Sequence, residues 1–276
     1  MDRRHYCLQV TVVITEGLRR DGMNAYTNFA MVYDTFMDNV PYEEWAGYLQ
    51  SLLTEYGTAK GDTIVDLGCG TGSMTELLAA SGYDMIGIDN SEDMLSIAAN
   101  KKTESGADIL YLLQDMRGIE LYGKADAFVS ICDSVNYITE PQELVGVFNL
   151  VSQYLKPEGV FIFDFNTLYK YRDVIGNRTI AENREECSFI WDNYYYEEEG
   201  INEYELSLFV RADNGECNAP IYHKYEETHY QRAYTLEEMK CLVSRAGLKL
   251  ISAYDAFTRE APTDESERIY FVVKAE

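Results

Sequence analysis

The chain has 276 residues, 46% hydrophobic and 25% charged, which excludes wholesale disorder and allows one large domain or one domain carrying a smaller insertion. Its 47 acidic and 23 basic residues give a formal net charge of −24; such a surface repels a phosphate backbone, which argues against DNA as a partner and disfavours RNA. No apolar run approaches the ~20 residues that span a bilayer, and six cysteines without a CxxC pair read as reduced thiols of a cytoplasmic protein, not as a disulfide framework or zinc site.

Residues 1–22 contain DRRHYCLQVTVVIT, a poor signal peptide, because Gln9 and Thr11 interrupt the apolar stretch and no small-residue cleavage site follows. They read as an edge strand or loose tail, or as an extension ahead of a natural start at Met23. Arg19-Arg20, just upstream, is compatible with a purine-rich ribosome-binding site. From Asn24 onward, Tyr26, Phe29, Ala30, Tyr33 and Met37 recur at helical spacing and predict one aromatic helix face, broken at Pro41. A second helix carries Trp45, Leu49, Leu52 and Tyr56 on one side and stops at Gly57.

Alternating units follow. TIVDL (63–67) predicts a buried strand, and GTGSMTELLAASG a Gly-rich turn feeding a helix that ends at Gly82. DMIGID (84–89) is the next strand. Ser91 then caps a helix predicted to run through Lys101, with Glu92 and Asp93 in its first turn, where the dipole favours them. ILYLLQ, ADAFVSIC and GVFIFDF predict further strands, the last two separated by a helix over 141–155 that the turn KPEG closes. Such alternation means crossover units and a parallel sheet. Beyond Asn166 the period changes: 178–232 reads as long strands, with Asn214-Gly215 as a hairpin turn. This predicts an antiparallel β lid over 167–232, inserted into an α/β domain formed by 23–166 and 233–276. Thr235 and Glu238 form a capping box for a helix ending at Gly247, and two closing strands, LKLISAYDAF and RIYFVVKAE, form an antiparallel pair.

The chemistry concentrates in VDLGCGTG, residues 65–72, between a strand and a helix. Glycines let the chain turn sharply and let a ligand approach the backbone, while the helix start offers N–H groups. A dinucleotide fingerprint would place a third glycine where Ser73 stands, which disfavours a nicotinamide oxidoreductase. Asp89 ends the next strand, where an acid accepts both hydroxyls of a ribose. Asp115 follows the third strand, within reach of an adenine amino group. Together they describe an adenosine-sized site at the carboxyl end of the sheet.

VDLGCGTG, IGIDNSEDML, LLQDM, ADAFVSICDSVNYI and LKPEGVFIFDFN, in this order, resemble the class I S-adenosylmethionine-dependent methyltransferases. The helix NAYTNFAMVYDTFMDN and the β-rich insertion are similar to the bacterial small-molecule branch that includes sugar and glycine N-methyltransferases. The resemblance implies a Rossmann-like α/β fold: a seven-stranded sheet with helices on both faces and an inserted antiparallel β lid. It also implies S-adenosylmethionine as cofactor. Gly68, Gly70 and the backbone of Cys69 would cradle the methionine end, with Asp66 orienting it and the Cys132 carbonyl facing its ammonium. Asp89 would bind the ribose, Asn90 and Met94 would pack near the adenine, Asp115 would take its amino group and Met116 would meet the ring edge. Tyr26 and Tyr33 would cover the carboxylate and sulfonium. Met94 shares its spacing with Leu95 and Ala98, so it reads equally as core.

The acceptor is open to several readings. CDSVNY stands where DNA and RNA amino-methylating enzymes carry an Asn or Asp followed by two prolines. Asp133, Asp164 and Asn166 invite a metal-assisted mechanism, but 164 and 166 are not adjacent, and structural hydrogen bonding is the preferred reading. Of the three histidines, His5 falls in the doubtful extension, leaving His223 and His229 on the lid. The catalytic candidates are His229, as base or acceptor-orienting group, and the Tyr33 hydroxyl. Arg232 and Tyr234 are placed along the same edge, and Asn136 and Tyr137 where acceptors enter. The lid's Tyr194–Tyr196, Glu197–Glu199, Tyr204, Tyr225, Glu226 and Glu227 suit a cationic amine or form a solvated acidic face. The expected function is methyl transfer to a small molecule, an amine by preference. The alternatives are a cofactor-binding protein without turnover and a methyltransferase acting on RNA or protein.

Overall fold

A computed structural model describes residues 30–38, 40–212 and 220–275. The segment 1–22, the start at Met23, Tyr26 and the Asn214-Gly215 turn lie outside the described residues.

Two helices, α1 (Ala30–Phe36) and α2 (Tyr42–Glu55), flank Pro41. The alternating part then runs β1 (Thr63–Leu67), α3 (Ser73–Ala80), β2 (Asp84–Asp89), α4 (Glu92–Ser105), β3 (Ile109–Leu113), β4 (Ala125–Ser130), α5 (Pro141–Tyr154) and β5 (Leu155–Asn166). The lid segment supplies β6 (Thr179–Asn183), β7 (Cys187–Tyr196), β8 (Ile201–Arg211) and β9 (Tyr222–Arg232). The chain closes with α6 (Leu236–Arg245), β10 (Leu248–Asp255) and β11 (Arg268–Ala275).

Seven strands form one sheet in the order β10-β11-β5-β4-β1-β2-β3. Strands β1 to β5 are parallel, and β11 runs antiparallel to both β5 and β10. Because side chains alternate across a strand, each buried strand serves two cores. Phe161, Phe163 and Phe165 face α5 and α6, while Val160 and Ile162 face α2 and α3. Strand order reverses between β1 and β4, and the crevice at their carboxyl ends is where such sheets take ligands. No described helix is long and apolar enough to cross a membrane.

Two boundaries differ from the sequence reading. α4 continues past Lys101 to Ser105, because Gly106 at φ 70° supplies the left-handed cap. α5 ends at Tyr154, and KPEG is absorbed into β5: Ala125 pairs with Leu155 but Ala127 with Val160, so part of the turn loops out of the ladder. Of the aromatic face predicted for α1, Tyr26 and Phe29 lie outside the described residues. Val32 and Phe36 turn to the second sheet, while Tyr33 faces the ligand crevice.

That second sheet, β6-β7-β8-β9, is antiparallel throughout. Cys187, Leu206 and Leu208 on its inner face form a small core with Val32 and Phe36, whose ring meets Phe189 edge-on at 4.8 Å. The segment leaves and rejoins the larger sheet at neighbouring points. Thr167 bridges to Tyr234, and the Leu168 N–H donates to the Tyr234 carbonyl at 3.0 Å. Asn136, fully buried, stitches the joint: its Nδ2 donates to the carbonyls of Asn166 (2.9 Å) and Arg232 (2.8 Å), and its Oδ1 accepts from Asn166 N (2.9 Å).

Candidate functional site

A cavity of about 520 Å³ opens at the carboxyl ends of the parallel strands. Its floor is the turn after β1. Gly68 (φ 75°) and Cys69 donate backbone N–H bonds to the Ile88 carbonyl at 2.8 and 3.0 Å, which folds the loop over β2. A Cβ at position 68 would stand 2.7 Å from Ser134 Oγ, so the loop closes only with glycine there. Around Gly70 a Cβ would meet nothing within 4 Å; this backbone borders open cavity.

Asp89, at the tip of β2, is held by that turn. Gly70 N–H donates to Oδ2 at 2.8 Å and Ser91 N–H to Oδ1 at 2.9 Å. Each carboxylate oxygen thus retains acceptor capacity on the cavity wall, the arrangement that suits a vicinal diol. Burial pushes its carboxyl above the usual range, and the N–H groups of Ser91, Gly70 and Asn90 pull the other way. Asp66 lies deeper, accepts one bond from Thr75 Oγ1 (2.7 Å), and is pushed up to about 7 by burial. The Cys69 and Cys132 thiols, both on the wall, are pushed up by burial and stay protonated at neutral pH.

Asn90, Met94, Leu113, Asp115 and Met116 line the other end. Met94 is buried and also borders the cavity. Asp115 stands on the wall with its oxygens engaged. Oδ1 accepts from Arg117 N (2.8 Å) and Nε (3.0 Å), and Oδ2 from Nη2 (2.6 Å). These bonds to Arg117 hold its carboxyl below the usual range.

The turn after β4 is built by charge. Cys132 (φ 57°) and Asp133 (φ 54°) are consecutive non-glycine residues in the left-handed region. Asp164, with no exposed surface, accepts both of their N–H groups at 3.1 and 2.7 Å. Arg268 then pairs with Asp164 (2.7 Å) and Asp133 (2.6 Å). Asp133 and Asp164 therefore serve structural bonding. Arg268, which brings them together from the last strand, had no local signal in the sequence.

The remaining candidates separate. Tyr33 lines the cavity and hydrogen-bonds Tyr42, whose hydroxyl is pushed up by burial and which also lines it. The next residue, Asp34, ties α1 to the glycine loop: it accepts from Thr71 Oγ1 (2.7 Å) and pairs with Lys101 (2.7 Å), which donates to Ser73 Oγ (2.7 Å). Tyr137 is on the wall; Asn136 is not, being spent on the joint described above. His229 is buried on β9 behind Tyr137 and does not border the cavity. Arg232 bonds the carbonyls of Thr139 and Glu199, and Tyr234 donates to Ile138 O at 2.7 Å inside the core, so neither lines the acceptor edge. Strand parity divides the lid's aromatics and acids. Tyr194 and Tyr196 face solvent, whereas Tyr204 and Glu227 point inward and are buried.

Comparison with known proteins bears on the family and the fold. A profile described as a methyltransferase domain matches residues 64–159. A putative methyltransferase of Bacillus subtilis is 37% identical over 247 residues, covering 89% of this chain and 95% of its own length. The crystal structure of an S-adenosylmethionine-dependent methyltransferase from Clostridium acetobutylicum superposes with a TM-score of 0.80 at 31% identity, covering 91% of this chain and 99% of that one. The sugar N-methyltransferase KedS8 from a Streptoalloteichus species shares the fold, with a TM-score of 0.71 at 16% identity over 99% of this chain and 100% of its own.

Proposed function

Because this chain belongs to the S-adenosylmethionine-dependent methyltransferases, we propose that it methylates a small molecule, an amine by preference, in a cleft between the sheet ends and the lid. The observation that carries the proposal is the Asp89 carboxylate on the cavity wall beside the Gly68–Gly70 turn. It offers a seat for a ribose next to backbone suited to an amino-acid tail.

In this reading Asp89 holds the ribose hydroxyls, and Asn90, Met94 and Met116 enclose the adenine with Asp115 at its amino group. Gly68, Cys69 and Gly70 approach the methionine tail, and Asp66 and the Cys132 carbonyl meet its ammonium. Tyr33 covers the sulfonium side. The bound cofactor supplies an activated methyl electrophile. The protein aligns the acceptor, excludes water and removes a proton. The lid over 167–232 closes the acceptor side, with His229 acting on the acceptor through its neighbours.

An amine is favoured because Tyr33, Tyr42 and Tyr137 on the wall offer ring faces and hydroxyls, and the Asp133 charge acts on Tyr42. The four described cysteines are free thiols, which supports a reducing, cytoplasmic setting. The test is a panel of small amines and phenols scored by release of S-adenosylhomocysteine. Turnover on amines is expected. Turnover on hydroxyl compounds alone contradicts the amine, and binding of S-adenosylhomocysteine with no turnover makes the chain a cofactor-binding protein.

A further inference from the structure

Tyr137 lines the cavity from the turn after β4, and its hydroxyl meets residues of β8 and β9. It is hydrogen-bonded to the Tyr204 hydroxyl and lies 3.4 Å from His229 Nδ1. On the other side of that imidazole, Nε2 stands 3.3 Å from Glu227 Oε2. Strand register gathers these groups on one face: Tyr204 pairs with His229 across β8 and β9, and Glu227 is two residues back on β9. The Tyr204 ring stacks on the imidazole at 4.8 Å and 13°, and Tyr137 meets it at 6.0 Å and 72°. His229 is 1% exposed and Glu227 8%. Burying a carboxylate beside an imidazole is costly, and apolar residues of similar size would pack a lid as well or better.

We infer that Tyr137 is a catalytic residue that takes the acceptor's proton, and that His229 and Glu227 are positioning residues that act through it. The inference rests on the small-molecule acceptor proposed above and narrows it to acceptors with a dissociable N–H or O–H. As the acceptor lone pair forms its bond to the methyl carbon, the carbon–sulfur bond breaks and its electron pair stays on sulfur. The surplus proton passes to the Tyr137 oxygen while the Tyr137 proton moves to His229 Nδ1. The Glu227 charge, 3.3 Å from Nε2, favours a proton there, Nδ1 then accepts from Tyr137, and the same charge stabilises the imidazolium that results. The proton leaves to water with the product. Among the described residues, the imidazole meets Tyr137 from the β4 turn, Tyr204 from β8 and Glu227 on its own strand, and the Asp133 charge reaches Tyr204.

The test compares wild type with Tyr137→Phe and Glu227→Gln, using the fastest acceptor of the amine and phenol panel and calorimetry with S-adenosylhomocysteine. Tyr137→Phe keeps the ring at the cavity edge and avoids the folding risk of removing His229. It is expected to lose roughly 100-fold in kcat, as loss of general acid–base help does, with cofactor-product affinity within twofold. Glu227→Gln, lacking the charge that stabilises the imidazolium, is expected to reduce kcat about 10-fold with the acceptor KM within twofold. If Tyr137→Phe stays within threefold in kcat, or Glu227→Gln changes KM and not kcat, the relay is wrong while the acceptor reading stands. If wild type binds S-adenosylhomocysteine but turns over no panel member, the acceptor reading fails and takes the relay with it.

Discussion

The two ends of the cleft are built by different means. At the end proposed for the cofactor, wall residues come from turns that follow β1, β2 and β3 directly, and Gly68 and Gly70 leave backbone on the wall. At the end proposed for the acceptor, the groups are side chains drawn from distant positions, with Tyr137 meeting Tyr204 and His229, 67 and 92 residues away. Backbone sites tolerate change in most side chains but not in their glycines. Side-chain sites change chemistry with each substitution. One fold thereby keeps its cofactor while its acceptor pocket stays open to variation.

If that contrast is right, the sharpest blow falls on the charge cluster that joins the two ends. Arg268→Met leaves Asp164 buried without its cation, and Asp133 loses the same partner. Breaking such a pair costs about 3–5 kcal/mol, so the urea midpoint is expected to fall steeply. An unchanged midpoint would show the cluster to be dispensable.

Next comes pH. Asp66 is pushed up to about 7 in the folded chain by burial, whereas an unfolded chain keeps it near ~4. Between those values the folded state binds the extra proton, so stability falls as pH rises from ~4 to ~7. Asp89, also raised, contributes in the same direction, which makes the difference between variants the quantity to read. Asp66→Asn is expected to remove on the order of 3 kcal/mol of that decline, measured by urea unfolding at pH 5 and pH 8. Parallel declines in both proteins would mean that Asp66 ionises freely in the fold.

A smaller effect separates two carboxylates within the cofactor end. Asp89→Ala is expected to weaken S-adenosylhomocysteine binding by about 1–3 kcal/mol in calorimetry, since hydrogen bonds to a charged group are worth that. Asp115→Asn should cost less, under ~1 kcal/mol, because Arg117 already engages both oxygens of Asp115 and a water-exposed pair is worth little. The reverse ranking would assign the decisive polar contact to the adenine.

What the sequence revealed follows the same division. Short-range signals were readable: the strand and helix alternation, the Gly68–Gly70 turn, Asp89 at a strand tip, the capping box of Thr235 and Glu238, and the antiparallel closing pair. Each depends on residues a few positions apart. The seven-stranded sheet with an added antiparallel sheet follows from that pattern together with the family resemblance. Strand pairing hid the rest. Nothing near Asp133 or Asp164 announces Arg268, which arrives from the last strand. Asn136 resembled an acceptor contact because its position after β4 is visible, while its three backbone partners in other segments are not. Residue type placed Tyr194, Tyr204 and Glu227 in one group; only the register of β7, β8 and β9 shows which of them face inward.

The most direct test of the account is the crystal structure of the protein with S-adenosylhomocysteine. The account predicts ribose hydroxyls within hydrogen-bonding distance of both Asp89 oxygens, the amino-acid tail against Gly68–Gly70, and the sulfur directed between Tyr33 and Tyr137 toward the lid. A nucleoside seated away from Asp89, or a sulfur directed away from the lid, would contradict it.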